Sequence, residues 1–425
     1  MKIKVILSII GLTLGLTFQA QTTKEEMLAD LNKTGGVYYA YPVTESHNTP
    51  APKGYKPFYI SHYGRHGSRY LISSNDYYWI ADILHKAKEE NALTPLGIDV
   101  MNRLDSVIVE TAERGGDLTP LGVRQHRGIA ERMYNAYPEV FKGKTQISAR
   151  STLVVRCVLS MDAFCERLKE LNPSLQIVRE SSQKYMPYLC YTSKEADQWK
   201  KEWRKEIDNF RDEMTHPDRL MNSLFNNPQF VKRNVKPDDL MWGFYWLASG
   251  MQDIETPISF YDIFTPEELF DLWQVFNFDF YQGHANYEPN NGLMIANATN
   301  LLENIITTAD EALSSDEPSA TLRFGHDGNL IPLAGILDFE NAVGKTDDPA
   351  KTYEVFADYK IAPMAGNVQI IFFKNSKDKN TPVLIKMMLN EEEMKLPIPT
   401  DNFPFYNWEE VRAYYMKKID SNRGQ

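Results

Sequence analysis

Tyr59-Ile60-Ser61-His62-Tyr63-Gly64-Arg65-His66-Gly67-Ser68-Arg69 decides how the rest of the chain reads. The apolar, β-prone run at 58–60 predicts a strand over 56–63. It leads into a turn-prone segment with two glycines, where a histidine stands between arginines. Glycine lets the backbone approach a ligand closely. Arginine offers a planar fork of donors that fits phosphate oxygens. Histidine can serve as nucleophile, base or ligand. At a strand end, Arg65-His66-Gly67-Ser68-Arg69 is therefore a candidate phosphate pocket with its own nucleophile. The plainer alternative is a turn with surface arginines and a packed histidine.

Working outward, residues 21–55 are mixed and polar and read as an arm lying on the surface. Helical spacing of Leu and Ile marks helices at 75–90 and 97–114. Thr-Pro-Leu-Gly occurs at 94–97 and again at 119–122. Thr as N-cap with Pro at the first helical position is a helix-start signal, so the second copy opens a helix through Gln125, His126 and Met133. Lys144 to Ser148 suits a second strand, and the stretch from Arg150 to Phe164 reads as a loop entering a helix. Between about 180 and 290 aromatic and charged residues dominate at helical spacing, which predicts a helical insertion. A long helix at 291–313, a strand at 320–324, a helix at 329–337, strands at 368–373 and 382–387, and a terminal helix with Trp408 and Tyr414 complete the chain. Strand–helix alternation at both ends implies an α/β core interrupted by an α-helical domain.

Two further stretches carry chemistry. Gly325-His326-Asp327 closes the predicted strand at 320–324. Alone, Asp327 could be only a helix cap. Two histidine loops that each follow a strand can, however, converge at the carboxyl edge of one sheet, where α/β ligand sites lie. Arg156, in Arg150-Ser151-Thr152-Leu153-Val154-Val155-Arg156, begins an apolar helix whose N-terminus suits an anion. His62 and His66 are four apart, a zinc spacing on a helix, but here they bracket Gly64 at a strand end and no metal site is expected. His47, His85, His126, His216 and His284 read as surface or packed residues, with His126 a candidate to line the pocket.

The 425 residues allow one large domain with an insertion, or two to three domains. A net charge of -11 argues against a general nucleic-acid partner, so an anionic substrate needs a locally positive site. Lys2 and Lys4, the apolar run from Val5 to Phe18, and Gln19-Ala20 read as a cleaved secretory signal over 1–20. The expected location is periplasmic or extracellular, with no membrane contact after cleavage. Of Cys157, Cys165 and Cys190, at most one pair could bridge. Cys157 and Cys165 lie in an apolar helical pattern and read as small buried residues.

Together these stretches resemble the histidine acid phosphatase family, branch 2 of the histidine phosphatase superfamily. Arg65-His66-Gly67-Ser68-Arg69 is similar to the family's Arg-His-Gly-x-Arg-x-Pro, although the position after Arg69 is Tyr70. Leu118-Thr119-Pro120-Leu121-Gly122, running on to Gln125 and His126, resembles its Leu-Thr-x-x-Gly-x-x-Gln. The segment through Arg156, Ser160 and Phe164, the His326-Asp327 pair, and Pro363-Met364-Ala365-Gly366-Asn367 also resemble family segments. Leu322-Arg323-Phe324-Gly325-His326 with Leu330-Ile331-Pro332-Leu333 looks most like the multiple inositol polyphosphate phosphatases. Those usually carry His-Ala-Glu where this chain has His326-Asp327-Gly328.

The resemblance implies a phosphoglycerate-mutase-like α/β core with a central, mostly parallel sheet flanked by helices. Residues 21–175 and 290–425 would form that core, and 176–289 an α-helical cap. It implies a metal-independent phosphomonoesterase without cofactors. His66 would attack phosphorus and form a phosphohistidine, and Asp327 would serve as proton donor. Arg65, Arg69, Arg156 and His326 would bind the phosphoryl oxygens. Inositol polyphosphates such as phytate are the leading substrate class, and Lys194, Lys200, Lys201, Arg204 and Lys205 are candidate cap contacts. Sugar phosphates or a broad range of monoesters are the alternative, and a catalytically silent phosphate-binding protein is a third reading.

Overall fold

The computed structural model describes residues 22–43, 48–315, 317–375, 377–378 and 380–423. The segment at 1–20, expected to be a secretory signal, and His47 lie outside them. Eight strands form one sheet: β1 Tyr55–Arg65, β2 Gln146–Ser151, β3 Gln176–Ser181, β4 Ala320–Gly325, β5 Asn367–Asn375, β6 Leu384–Leu389, β7 Glu392–Glu393 and β8 Tyr406–Asn407. Their order is β3-β2-β4-β1-β5-β6-β7, with β8 pairing β6. The β3-β2-β4-β1 half is parallel, and β5 runs antiparallel to β1.

Alternation along the inner strands explains their central place. Tyr59 and Tyr63 point into one apolar cluster, with Phe372. Ile60, Leu322 and Phe324 point into the other, against Phe164. A strand covered on both faces reads as a nearly continuous apolar run. Ala320–Gly325 is buried throughout, and even Arg323 is satisfied inside by Asn304, Ser61 and Thr308.

The helices Asn75–Glu89, Pro95–Thr111, Pro120–Ala136 and Val155–Leu171 form where apolar spacing placed them. Thr94 and Thr119 cap the second and third of these, accepting from Gly97 N and Gly122 N, each with Pro at the first turn. Lys194–Glu202, Arg204–Met214, Pro237–Met251 and Pro266–His284 make up most of the helical insertion. It shares one core with the flanking helices, since Trp242, Tyr245 and Leu247 cluster with Leu84 and Leu104.

Four expectations change in detail. β3 lies at the start of the 176–289 stretch and extends the core sheet, so the helical part begins after Ser181. β3 is a short edge strand with four exposed residues in six and offers little apolar signal. Arg150 and Ser151 end β2 rather than forming a loop. The 291–313 helix is two pieces, Leu293–Ala296 and Thr299–Ser315. The N-terminal arm is not merely superficial, because Thr34, Gly35, Gly36 and Val37 are buried. Val37 N donates to Asp358 Oδ2 at 3.0 Å, which anchors the arm inside the molecule.

Candidate active site

Strand register builds the centre of the site. β1 and β4 run parallel with Arg65 opposite Gly325. His66 and His326 are each the next residue, so both leave the sheet at the same level. His66 N donates to Gly325 O at 2.9 Å, and the two imidazoles meet edge to face with centroids 5.7 Å apart. Behind them Ala365 N donates to His66 O at 2.9 Å, and Arg65 N to Gly366 O at 2.8 Å. The segment 363–366 is thus the third wall of the loop.

The nucleophile loop lies directly on a helix start. A Cβ on Gly67 would stand 2.6 Å from the Gly122 carbonyl oxygen, and one on Gly122 would stand 2.3 Å from the Ser68 carbonyl oxygen. Such contacts leave no room for a side chain, so both positions require glycine. Thr119 Oγ1 donates to Ser68 O at 3.0 Å, Ser68 N donates to Gln125 Oε1 at 2.8 Å, and Gly67 N donates to Ser160 Oγ at 3.1 Å. These bonds explain why the Leu118–Gly122 and Ser160 motifs accompany the loop.

His66 is 2 % exposed, and its Nδ1 lies 2.9 Å from the Gly67 carbonyl. A carbonyl only accepts, so Nδ1 carries the hydrogen and Nε2 holds the free lone pair. Burial first, then Arg65, Arg69 and Arg156, press the His66 pKa well below its ordinary value; the Gly67 backbone opposes them only partly. The imidazole is therefore neutral.

The three arginines bring unspent donors. Arg65 is fully buried, and its Nη1 donates to the Val37 and Ala362 carbonyls. Its Nη2 stands 2.8 Å from Asp327 Oδ2, an ion pair whose angles fall short of a hydrogen bond. Arg69 donates from Nη1 to Tyr70 O at 2.9 Å and lies over the Tyr38 ring at 4.8 Å. Arg65 Nε, Arg69 Nε and Arg156 Nε are buried without a partner among the described residues. Burial and the nearby Arg69 lower the Arg156 pKa. Clustered cations with idle N–H groups are the signature of an anion seat.

His326 and Asp327 complete the ring. Thr152 Oγ1 lies 3.2 Å from His326 Nε2, and Tyr63 Oη accepts from His326 N at 3.3 Å. Burial draws the His326 pKa to about 4; Asp327 opposes this, and the arginines reinforce it. Gly328 N donates to Asp327 Oδ1 at 2.7 Å. Burial pushes the Asp327 carboxyl up, but Arg65, then His326, His284 and Arg69, outweigh it and hold its pKa below the ordinary value.

All six expected residues therefore gather at the carboxyl edges of β1 and β4. Sequence reasoning missed several neighbours: Val37 and Ala362, which offer only backbone carbonyls, and Tyr38, Asp253 and His284, which no motif marks. Asp253 is fully buried, both its oxygens lack a well-aligned hydrogen bond, and burial raises its pKa to about 7 against Ser68, Arg69 and Arg65. Tyr70, where the family pattern has proline, is buried with its hydroxyl donating to Glu110 at 2.6 Å and accepting from Arg114. His126 does not line the pocket; it is packed behind the loop against Phe324. Cys157 and Cys165 are buried free thiols, and Cys190 is free and exposed.

A sheet of this topology, with an arginine-ringed histidine at its carboxyl edge, is that of a phosphoric monoester hydrolase. Residues 64–390 match the model of the histidine phosphatase superfamily (branch 2), and the chain belongs to that family. No curated protein matches the chain in sequence. Its fold is similar to that of the Bifidobacterium longum multiple inositol polyphosphate phosphatase in complex with inositol hexasulfate. That match has TM-score 0.71 at 19% identity and covers 90% of this chain and 97% of that one. The phytase of D. castellii matches with TM-score 0.67 at 14% identity over 96% of this chain and 88% of that one. The Klebsiella sp. ASR1 phytase matches with TM-score 0.55 at 11% identity over 88% and 97%.

Proposed function

We propose that this protein is an exported, metal-independent phosphomonoesterase that works through a phosphohistidine on His66, with inositol polyphosphates as its substrates. The observation that carries the reading is the neutral, buried His66 with Nε2 free, ringed by Arg65, Arg69 and Arg156 with idle donors. Those arginines and His326 take the phosphoryl oxygens, which positions the group and offsets its charge. His66 Nε2 gives its lone pair to phosphorus while the bond to the leaving oxygen breaks. Asp327 donates a proton to that oxygen. In the second step water attacks phosphorus, Asp327 takes its proton, and the phosphorus–nitrogen bond breaks. A substrate phosphate seated on Arg65 weakens that residue's hold on Asp327 and lets the carboxyl protonate. The scheme calls on no metal.

A cavity of about 280 Å³ in the cap supports a polyanionic substrate. It is lined by Lys200, Lys201, Arg204 and His284, with Asp279 as the one acid. Arg204 is already paired to Asp208 and Asp279, which leaves the lysines as open cations. Names of the similar structures point the same way. Sugar phosphates remain the second reading, favoured by the small size of the cavity. Purified protein assayed on phytate, glucose 1-phosphate and p-nitrophenyl phosphate decides the substrate. Acid-labile label from phosphate-labelled substrate should appear on His66 and vanish in His66→Ala. Full turnover by His66→Ala overturns the nucleophile, and no turnover of any ester by the wild type leaves only the silent binding protein.

A further inference from the structure

We infer that His284, the last residue of the cap helix Pro266–His284, is a positioning residue for the proton donor, acting on Asp327 through the backbone of Gly328. The inference rests on the reading of Asp327 as the donor. Its geometric basis is direct. A Cβ built on Gly328 would lie 3.0 Å from His284 Cε1, 3.4 Å from Nδ1 and 3.7 Å from Nε2. The imidazole thus crowds the space a side chain at 328 would take. It is backed by the Phe280 ring, with centroids 5.6 Å apart.

Gly328 in turn holds the acid. Its N–H donates to Asp327 Oδ1 at 2.7 Å, while Oδ2 faces Arg65 at 2.8 Å. The direction of that N–H fixes the carboxyl plane. His284 pressed on Gly328 therefore fixes which oxygen faces Arg65 and which way the proton leaves. Gly328 has no positive φ to demand glycine, so close approach of the cap imidazole is what the residue serves. Burial and Lys200 draw the His284 pKa down to about 4 against Asp327 and the Gly328 backbone, so a neutral imidazole makes this contact. The cap consequently carries part of the catalytic geometry as well as lining the substrate cavity.

A donor matters most when the leaving group is basic. An alkoxide must be protonated as it departs, whereas p-nitrophenolate leaves with little help. His284→Ala should therefore lower kcat on glycerol 2-phosphate about tenfold more than on p-nitrophenyl phosphate, with KM on both within about twofold of wild type. His284→Asn, which refills part of the space, should recover part of the difference. Gly328→Ala presses on the ring from the other side and should give the same leaving-group dependence. In the His284→Ala background it should cost less than in wild type, because the clash is gone. Equal losses on both esters, a change confined to KM, or strictly additive effects of His284→Ala and Gly328→Ala would each overturn the inference. Asp327→Asn separates this failure from that of the donor reading. If Asp327→Asn keeps wild-type turnover of glycerol 2-phosphate, the donor assignment falls and takes the inference with it. If it shows the leaving-group loss and His284→Ala does not, only the role of His284 falls.

Discussion

Arg65 Nη2 stands 2.8 Å from Asp327 Oδ2, so the residue that binds phosphate in the proposed mechanism also holds the proposed acid in its ionised form. The sign of the pH dependence follows. Burial raises the Asp327 carboxyl, but Arg65 and its neighbours outweigh it and the net shift is downward. The donor is the protonated form, whose fraction falls tenfold per pH unit above the pKa. His66, held well below its ordinary value, stays neutral and nucleophilic far into acid. Hence kcat/KM should be greatest in acid and fall as pH rises. Asp327→Asn should remove that limb and lower turnover of alkyl phosphates by about 10²–10³-fold. Wild-type activity climbing through pH 8 would refute the acid assigned here.

Arg65 is also a structural residue. Its Nη1 satisfies the Val37 and Ala362 carbonyls, which tie the N-terminal arm and the segment before β5 to β1. Arg65→Ala should therefore abolish activity and cost about 2–4 kcal/mol of stability, because two buried acceptors and one carboxylate lose their partner together. Arg65→Lys should rescue little, since one ammonium cannot reach both carbonyls and Asp327. Denaturant melts beside kcat/KM check both halves. A Lys variant with more than about a tenth of wild-type turnover would show that the planar fork is dispensable.

Two glycines of this region should behave oppositely when changed to alanine. At Gly67 the new methyl would meet Gly122 backbone at 2.6–2.8 Å, and neither chain can yield without moving His66. About 1–3 kcal/mol and most of the turnover should be lost. At Gly128, inside the helix Pro120–Ala136, the nearest atom is the end of the flexible Arg132 side chain at 3.1 Å. Alanine there should stabilise by up to about 1 kcal/mol through helix propensity and leave turnover intact. Thermal melts of the two variants that moved in the same direction would contradict this reading of the packing.

Much of this was legible before any coordinates. The strands form about where the apolar runs predict them, within a few residues at their ends, and Thr94 and Thr119 cap their helices as Thr-Pro-Leu-Gly predicts, because those signals are local. β3 was not legible, since an edge strand with four of its six residues exposed carries no apolar pattern. Val37 and Ala362 act through carbonyls that every residue possesses. His284 ends the helix Pro266–His284 and Asp253 lies just past the helix Pro237–Met251, neither in a motif, and only tertiary folding brings them to the helix start at Asp327–Gly328 and to Arg65 and Arg69. Register, by contrast, turned two weak dipeptides into one site: Arg65 opposite Gly325 is what sets His66 beside His326.

Lys200 offers the clearest test of substrate class. It lines the cap cavity beside Gly283 and His284, and burial lowers its pKa despite Asp197 and Asp279 nearby. An anion in the cavity would oppose that shift and favour the charged form. Lys200→Met should reduce kcat/KM for phytate relative to p-nitrophenyl phosphate by about tenfold, the worth of one charge-assisted contact, with Lys200→Arg restoring most of it. A ratio that stays fixed would assign the cavity no part in selecting polyphosphates.

Acid favours the chemistry and opposes the fold, and the balance can be worked out from buried groups. Burial takes His62 and His126 to about 3 and His284 and His326 to about 4, while His66 is lower than ordinary for the same first reason. Each contributes fully above the unfolded value of about 6.5. As pH falls below it, the unfolded chain takes up protons that the folded chain refuses, and stability drops by about 1.4 kcal/mol per pH unit for each group. Asp253, raised to about 7, and Asp358, raised to about 6, act in the opposite sense. Their carboxyls stay protonated in the fold while the unfolded chain loses the proton, so each gains stability as pH falls toward about 4. Five imidazoles outweigh two carboxyls, and the melting temperature should fall steadily from pH 7 to 4.5. Asp253→Asn removes one compensating group. It should raise the melting temperature at pH 7 and lose that advantage by pH 4.5. A variant whose gain is the same at both values would mean that Asp253 does not change its charge between the folded and unfolded states.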